Sequence, residues 1–178
     1  MHQLPISRRF FGNGLFALLT SSTFAINALA KNTAADAVLL AKTAPSSIDP
    51  ASYLVSEKLD GVRAVWDGKV LRFRSGRLIA APAWFIAKLP KEPMDGELWM
   101  GRGQFDEVSG IARKAKPVDA EWQKVNYMVF ELPAGSGRFK DRALAIESIV
   151  NSTAWPQLQA VEQMTIANQR SEERRVGK

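Results

Sequence analysis

Two runs of alternating character lie close together in the chain: VRAVW at residues 62–66 and KVLRFR at residues 69–74, on either side of Asp67-Gly68. Alternation with a period of two marks a half-buried strand. An Asp-Gly pair between two such runs predicts a hairpin closed by a two-residue turn. Residues 93–100 (PMDGELWM) and 125–133 (VNYMVFELP) read as further strands, the second buried and rich in β-branched and aromatic side chains. Helices are expected within residues 81–90, after Pro82, and within residues 104–114, weakened by the internal Gly110. A third is expected over residues 141–152, where Leu144, Ile146, Ile149 and Val150 group together and Asp141 stands near the start. Residues 159–167 open another strand, while residues 31–55 read as an arm, extended at 39–41 and looped at 44–50. Strands outnumber helices and come first as a hairpin, so the expected class is α+β with a largely antiparallel sheet.

Composition changes this picture mainly at the two ends. The chain has 178 residues, 46% of them hydrophobic, enough for one domain with a real core. It has no cysteine, which excludes disulfides and thiolate metal sites and suits an exported protein. The formal charge is +6, yet residues 31–169 hold 18 basic and 16 acidic residues, so bulk charge does not argue for nucleic-acid binding. Residues 1–30 combine Arg8 and Arg9, an apolar run near Leu15–Leu19 and an Ala28-Leu29-Ala30 cleavage pattern, the layout of a signal peptide. That run is too short and too interrupted to make a good membrane span. Ser7-Arg8-Arg9-Phe10-Phe11 has the look of a twin-arginine export signal, so the mature protein is expected to begin near Lys31, with no stable membrane association. His2 falls in this region and carries no catalytic role. Residues 170–178 (RSEERRVGK) look like the in-frame translation of a sequencing adapter, which places the end of natural sequence near Gln169.

The candidate chemistry centres on residues 56–63, SEKLDGVR. If Ser56–Asp60 ends a strand, Lys58 and Asp60 project from one face. Gly61 lets the backbone turn tightly or approach a ligand, and Arg63 reaches back toward the same place. A lysine amine attacks only when neutral, giving Schiff bases with carbonyls or phosphoramidates with phosphorus. Desolvation, a nearby arginine or a bound metal favours the neutral form. Taken alone, a lysine before an Asp-Gly pair is also what a solvated strand end looks like.

The order of motifs shifts that balance. Glu57-Lys58-Leu59-Asp60-Gly61-Val62-Arg63 resembles the adenylation motif of covalent nucleotidyltransferases, which include ATP-dependent DNA ligases, RNA ligases and mRNA capping enzymes. Phe73-Arg74-Ser75-Gly76, Asp95-Gly96-Glu97-Leu98-Trp99 and Tyr127-Met128-Val129-Phe130-Glu131-Leu132 follow in the family's order, with Glu131 where an aspartate is usual. The resemblance covers most of residues 38–169 and is nearest to the minimal, signal-bearing, periplasmic ATP-dependent DNA ligases of bacteria.

It implies that Lys58 takes AMP from ATP, that the adenylate passes to a DNA 5′-phosphate, and that a 3′-hydroxyl then displaces AMP to seal a nick in double-stranded DNA. Asp60 would orient the reacting ends and Arg63 would contact the ribose and phosphates. Arg74 would hold the nick 5′-phosphate, and Glu97 would bind a ribose hydroxyl or a divalent metal such as Mg²⁺. Phe130 would stack on adenine, and Glu57 would complete the ATP site. The resemblance further implies a monomer, whose residues 31–169 are the first part of an adenylation domain. Its later Glu-Gly and Lys-x-Lys motifs and its OB-fold domain are absent before residue 170, so the chain by itself is expected not to complete nick sealing. An NAD-dependent ligase fits less well, since about 27 mature residues precede Lys58, too few for an extra domain. An RNA ligase or capping-type enzyme, and a non-catalytic exported binding module, are the alternatives. Each residue also has a plain structural reading: Arg74 as an edge-strand charge, Asp95-Gly96 as a turn, Phe130 as core.

Overall fold

In a computed structural model, which describes residues 38–45 and 47–166, the alternating runs pair as the sequence leads one to expect. Strand β1 (Val62–Trp66) lies antiparallel to β2 (Leu71–Phe73) on one side and to β3 (Met94–Trp99) on the other. Strand β4 (Asn126–Glu131) is antiparallel to β3, and β5 (Leu158–Ala160) joins β4 in parallel. The result is one five-stranded sheet in the order β2-β1-β3-β4-β5. The signal-like residues 1–30 and the adapter-like residues 170–178 lie outside the described residues.

Among the described residues, four α-helices flank the sheet: α1 (Ala83–Ile86), α2 (Phe105–Arg113), α3 (Asp119–Trp122) and α4 (Phe139–Thr153). Phe85 of α1 is fully buried and meets Trp122 and Trp155 edge-on, with ring centroids 4.8 and 4.9 Å apart. Around them, Leu71, Met94, Leu98, Val108, Ile111 and Ile146 form a continuous core. Gly110 does not break α2, because its position is exposed and the helix is held by Val108, Ile111 and Ala112 on its buried side.

The structure corrects several local expectations. The first hairpin turns through residues 67–70, not two residues, since Trp66 pairs with Leu71. Asp67 closes that loop by accepting the Lys69 and Val70 N–H groups through Oδ1, both at 2.9 Å. Residues 39–41 form no strand, and Leu39 and Leu40 are exposed. Helix α4 begins at Phe139, where the Asp141 carboxylate accepts the Arg138 N–H, and it buries Ala143 and Ile146 while Leu144 faces solvent. The four-residue α3 had no periodic signature to announce it.

Candidate active site

Register decides which side chains share a face. Arg63 lies opposite Glu97, and Val65 opposite Asp95, so one face of the sheet collects Arg63, Asp95 and Glu97. The alternate residues Val62, Ala64, Trp66, Met94 and Leu98 point to the other face, into the core. Asp95-Gly96 is therefore no turn: both residues are buried within β3.

Asp95 has no exposed surface and binds Arg63 through both oxygens, Nε–Oδ1 at 3.1 Å and Nη2–Oδ2 at 2.6 Å. This forked, charge-assisted pair fixes the guanidinium plane and raises the Arg63 pKa further. Arg63 Nη2 also donates to the Leu39 carbonyl at 2.8 Å, and the guanidinium carbon lies 5.4 Å from the centre of the Phe130 ring. Arg63 is thus held by a carboxylate, a carbonyl and an aromatic face at once.

Glu97 accepts the Gly61 N–H at 3.2 Å. Burial pushes its carboxyl up to about 7, against the opposing pull of that N–H and of the Arg63 and Lys58 charges. The Lys58 charge is therefore felt at Glu97, although Lys58 itself is exposed in the irregular segment leading to β1. Gly61 has no room for a side chain, because a Cβ there would run into the Leu98 carbonyl and the Glu97 side chain. Glycine is what lets the Lys58 segment lie directly on β3.

Upstream, Val55 and Met164 exchange both backbone hydrogen bonds, at 2.8 and 2.9 Å, which anchors the start of the same segment. Between the anchors, Glu57 turns outward and forms a forked pair with Arg102, at 2.8 and 3.0 Å. The Arg102 guanidinium lowers the Glu57 pKa. Arg102 sits between Gly101 and Gly103, both in the left-handed region (φ 120° and 72°). Asp60 is exposed.

Beside this segment opens a cleft of about 350 Å³, walled by Gly61, Arg63, Arg74, Arg77, Phe105 and Arg113 among others. The structure thus gathers Arg63, Glu97 and Phe130 with Lys58 nearby, and puts Arg74 in the adjoining cleft. Glu57 is drawn away toward Arg102. No group of three or more His, Cys, Asp or Glu stands together among the described residues.

Sequence reasoning missed Asp95 as the partner of Arg63. Its signal was its place two residues before Glu97, on the same strand face. Arg102, Arg77 and Arg113 were also missed, and only their places in the fold reveal them.

No protein-family model matches the chain. Over 114 residues, 64% of this chain and 42% of the relative, it is 33% identical to a DNA ligase of Haemophilus influenzae. It is 39% identical to a solved Lig E DNA ligase studied for DNA binding with a minimal scaffold, with a TM-score of 0.68 over 74% of this chain and 52% of the other. A Chlorella virus DNA ligase-adenylate superposes with a TM-score of 0.54 over 69% of this chain and 48% of the other, at 18% identity, a likeness of fold alone. The chain spans about half the length of the relatives it matches.

Proposed function

We propose that this chain, whose described residues carry the α+β nucleotidyltransferase domain of an ATP-dependent DNA ligase, takes part in joining DNA through an AMP held on Lys58. One observation carries the assignment of the site: Arg63, Glu97 and Phe130 converge on the sheet face bordered by the Gly61 backbone, and the Lys58 charge acts on Glu97.

In the first step the neutral Lys58 Nζ attacks the α-phosphorus of ATP. An N–P bond forms, the bond to the β-phosphate oxygen breaks, pyrophosphate leaves and the amine proton passes to solvent. A DNA 5′-phosphate oxygen then attacks the same phosphorus, and the N–P bond breaks with return of a proton to the amine. Finally a 3′-hydroxyl attacks the adenylated 5′-phosphate and AMP leaves.

This chain's contribution is positioning and charge. Arg63, locked by Asp95, offers its guanidinium edge to the ribose or the reacting phosphates. The half-buried Phe130 ring is available to the adenine, and Arg74 to the 5′-phosphate. Glu97 is the carboxylate that suits a divalent ion, because both oxygens of Asp95 are engaged by Arg63. Mg²⁺ commonly takes one or two carboxylates together with substrate phosphates, so a single carboxylate fits it. Such an ion, when bound, neutralises charge on the transferring phosphoryl group. The periplasmic setting and the nicked duplex as substrate belong to the same proposal; the first is supported by the sequence of residues 1–30.

The test is incubation of the chain with α-labelled ATP and Mg²⁺. Acid-labile label is expected on the wild-type chain and none on Lys58→Ala. Absence of lysine-linked label, or label that survives the substitution, overturns the reading. Nicked DNA and nicked RNA, offered to the labelled chain, separate a DNA ligase from an RNA ligase by which one discharges the AMP.

A further inference from the structure

The segment that carries Lys58 is held at its two ends, by the Val55–Met164 exchange and by the Gly61–Glu97 bond. Residues 56–60 between them belong to no strand, so no ladder register decides which way their side chains turn. Among the described residues, the one ion pair made by this stretch is the fork from Arg102 to Glu57. Glu57 immediately precedes Lys58. Whatever fixes the side chain of residue 57 therefore constrains the turn of the chain at residue 58 as well.

The Arg102 end of the pair is built for the contact. Its loop leaves β3 at Trp99, so it is carried by the strand that also bears Asp95 and Glu97. Gly101 and Gly103 on either side have positive φ, and a Cβ at either would meet almost nothing. These glycines thus serve backbone conformation rather than space, turning the loop so that Arg102 meets the segment lying on β3. The fork engages both Glu57 oxygens, at 2.8 and 3.0 Å. Two bonds in one plane fix the rotation of the carboxylate as well as its distance, which a lysine in place of Arg102 would not. Arg102 and Glu57 are 69% and 46% exposed, so the pair does little for stability. What it supplies is orientation: Glu57 is held toward Arg102, while the neighbouring Lys58 charge is felt at Glu97 on the strand face.

We propose that Arg102 is a positioning residue for nucleotidyl transfer: by gripping Glu57 it sets the turn of the chain at residue 58 and aims the Lys58 amine at the α-phosphorus. The proposal rests on the ligase reading of Lys58 and adds to it a residue that acts through Glu57 rather than on the nucleotide.

The experiment follows single-turnover labelling of the full chain by α-labelled ATP and Mg²⁺ over a range of ATP concentrations. Arg102→Ala is expected to melt like wild type and to lower the maximal labelling rate severalfold, with the half-saturating ATP concentration unchanged. Arg102→Lys keeps the charge but not the fork and is expected to recover part of the rate. Lys124→Ala removes a similarly exposed cation, paired with Glu107, and is expected to label at the wild-type rate. A second measurement needs no nucleotide: backbone NMR order parameters of residues 57–60 are expected to fall in Arg102→Ala. High salt, which screens exposed pairs, is expected to lower them in wild type but not further in the variant. A maximal rate in Arg102→Ala equal to that of Lys124→Ala would overturn the proposal. So would a raised half-saturating ATP concentration at an unchanged maximal rate, which would make Arg102 a nucleotide contact. A chain that takes no label while its order parameters still depend on Arg102 would sink the ligase reading and leave the grip on the segment standing.

Discussion

Asp95 is buried without exposed surface, and Arg63 retains only 22% exposure, so neither partner can fall back on full hydration when the other is removed. Asp95→Ala leaves the guanidinium without its carboxylate and is expected to cost about 3 kcal/mol, read as a lower urea midpoint with unchanged slope. A variant as stable as wild type would refute the account of the pair. Glu97 gives a prediction with a sign. Its folded pKa of about 7 stands above the ordinary 4.5, so the folded protein keeps the proton while the unfolded chain gives it up. The stability tied to this proton is complete below pH 4.5 and drains away as pH rises through 7. Glu97→Gln keeps a neutral group throughout, so between about pH 5 and pH 8 wild type is expected to lose more stability than the variant. Parallel denaturation midpoints at the two pH values would contradict it. Motif order is a one-dimensional signal, and it is what singled out Lys58, Arg63, Glu97 and Phe130 as candidates from the sequence. The Arg63–Asp95 and Glu57–Arg102 pairs were not legible, because they join residues 32 and 45 positions apart.

At the scale of elements, β3 is the spine: β1 and β4 flank it, and its glycine permits the closeness. Gly96 faces Ala64 across β1, and a Cβ at Gly96 would stand 2.5 Å from the Met128 carbonyl oxygen and 2.8 Å from the Tyr127 ring. That ring carries its hydroxyl to the Ala64 and Met94 carbonyls, at 3.0 and 2.9 Å, deep in the core. Gly96→Ala has no flexible neighbour to push aside and is expected to cost about 2 kcal/mol or more, seen as a lower melting temperature. An unchanged melt would mean that β4 can shift, contrary to the packing. Strands β1, β3 and β4 were readable because alternation or β-branched runs set them apart. Helix α3 was not, since DAEW is one turn long and is held by the burial of Trp122, which meets Phe85 of α1 edge-on, rather than by any period. The side of α4 that faces inward was misjudged at Leu144 for a related reason: the sequence offers several apolar positions, and packing against β4 and β5 selects Ala143 and Ile146.

Across the whole molecule, the segment bearing Lys58 is tied down by residues distant in the chain. Its upstream anchor is the Val55–Met164 exchange and its downstream anchor the Gly61–Glu97 bond. A chain ended after Val161 is expected to keep β1 to β5 but to lose protection of the Val55 amide, measured by hydrogen exchange over residues 53–60. Exchange as slow as in the longer chain would show that the anchor is dispensable. The same bridge sets an order in time. During synthesis the Lys58 segment leaves the ribosome about a hundred residues before Met164, an interval of about 5–20 s at ordinary elongation rates. Contacts spanning that much chain close late, after local hairpins and helices have formed. The amine proposed to carry AMP is therefore among the first functional groups made and the last to be seated, so an unfinished chain would present its sheet before it could hold a nucleotide.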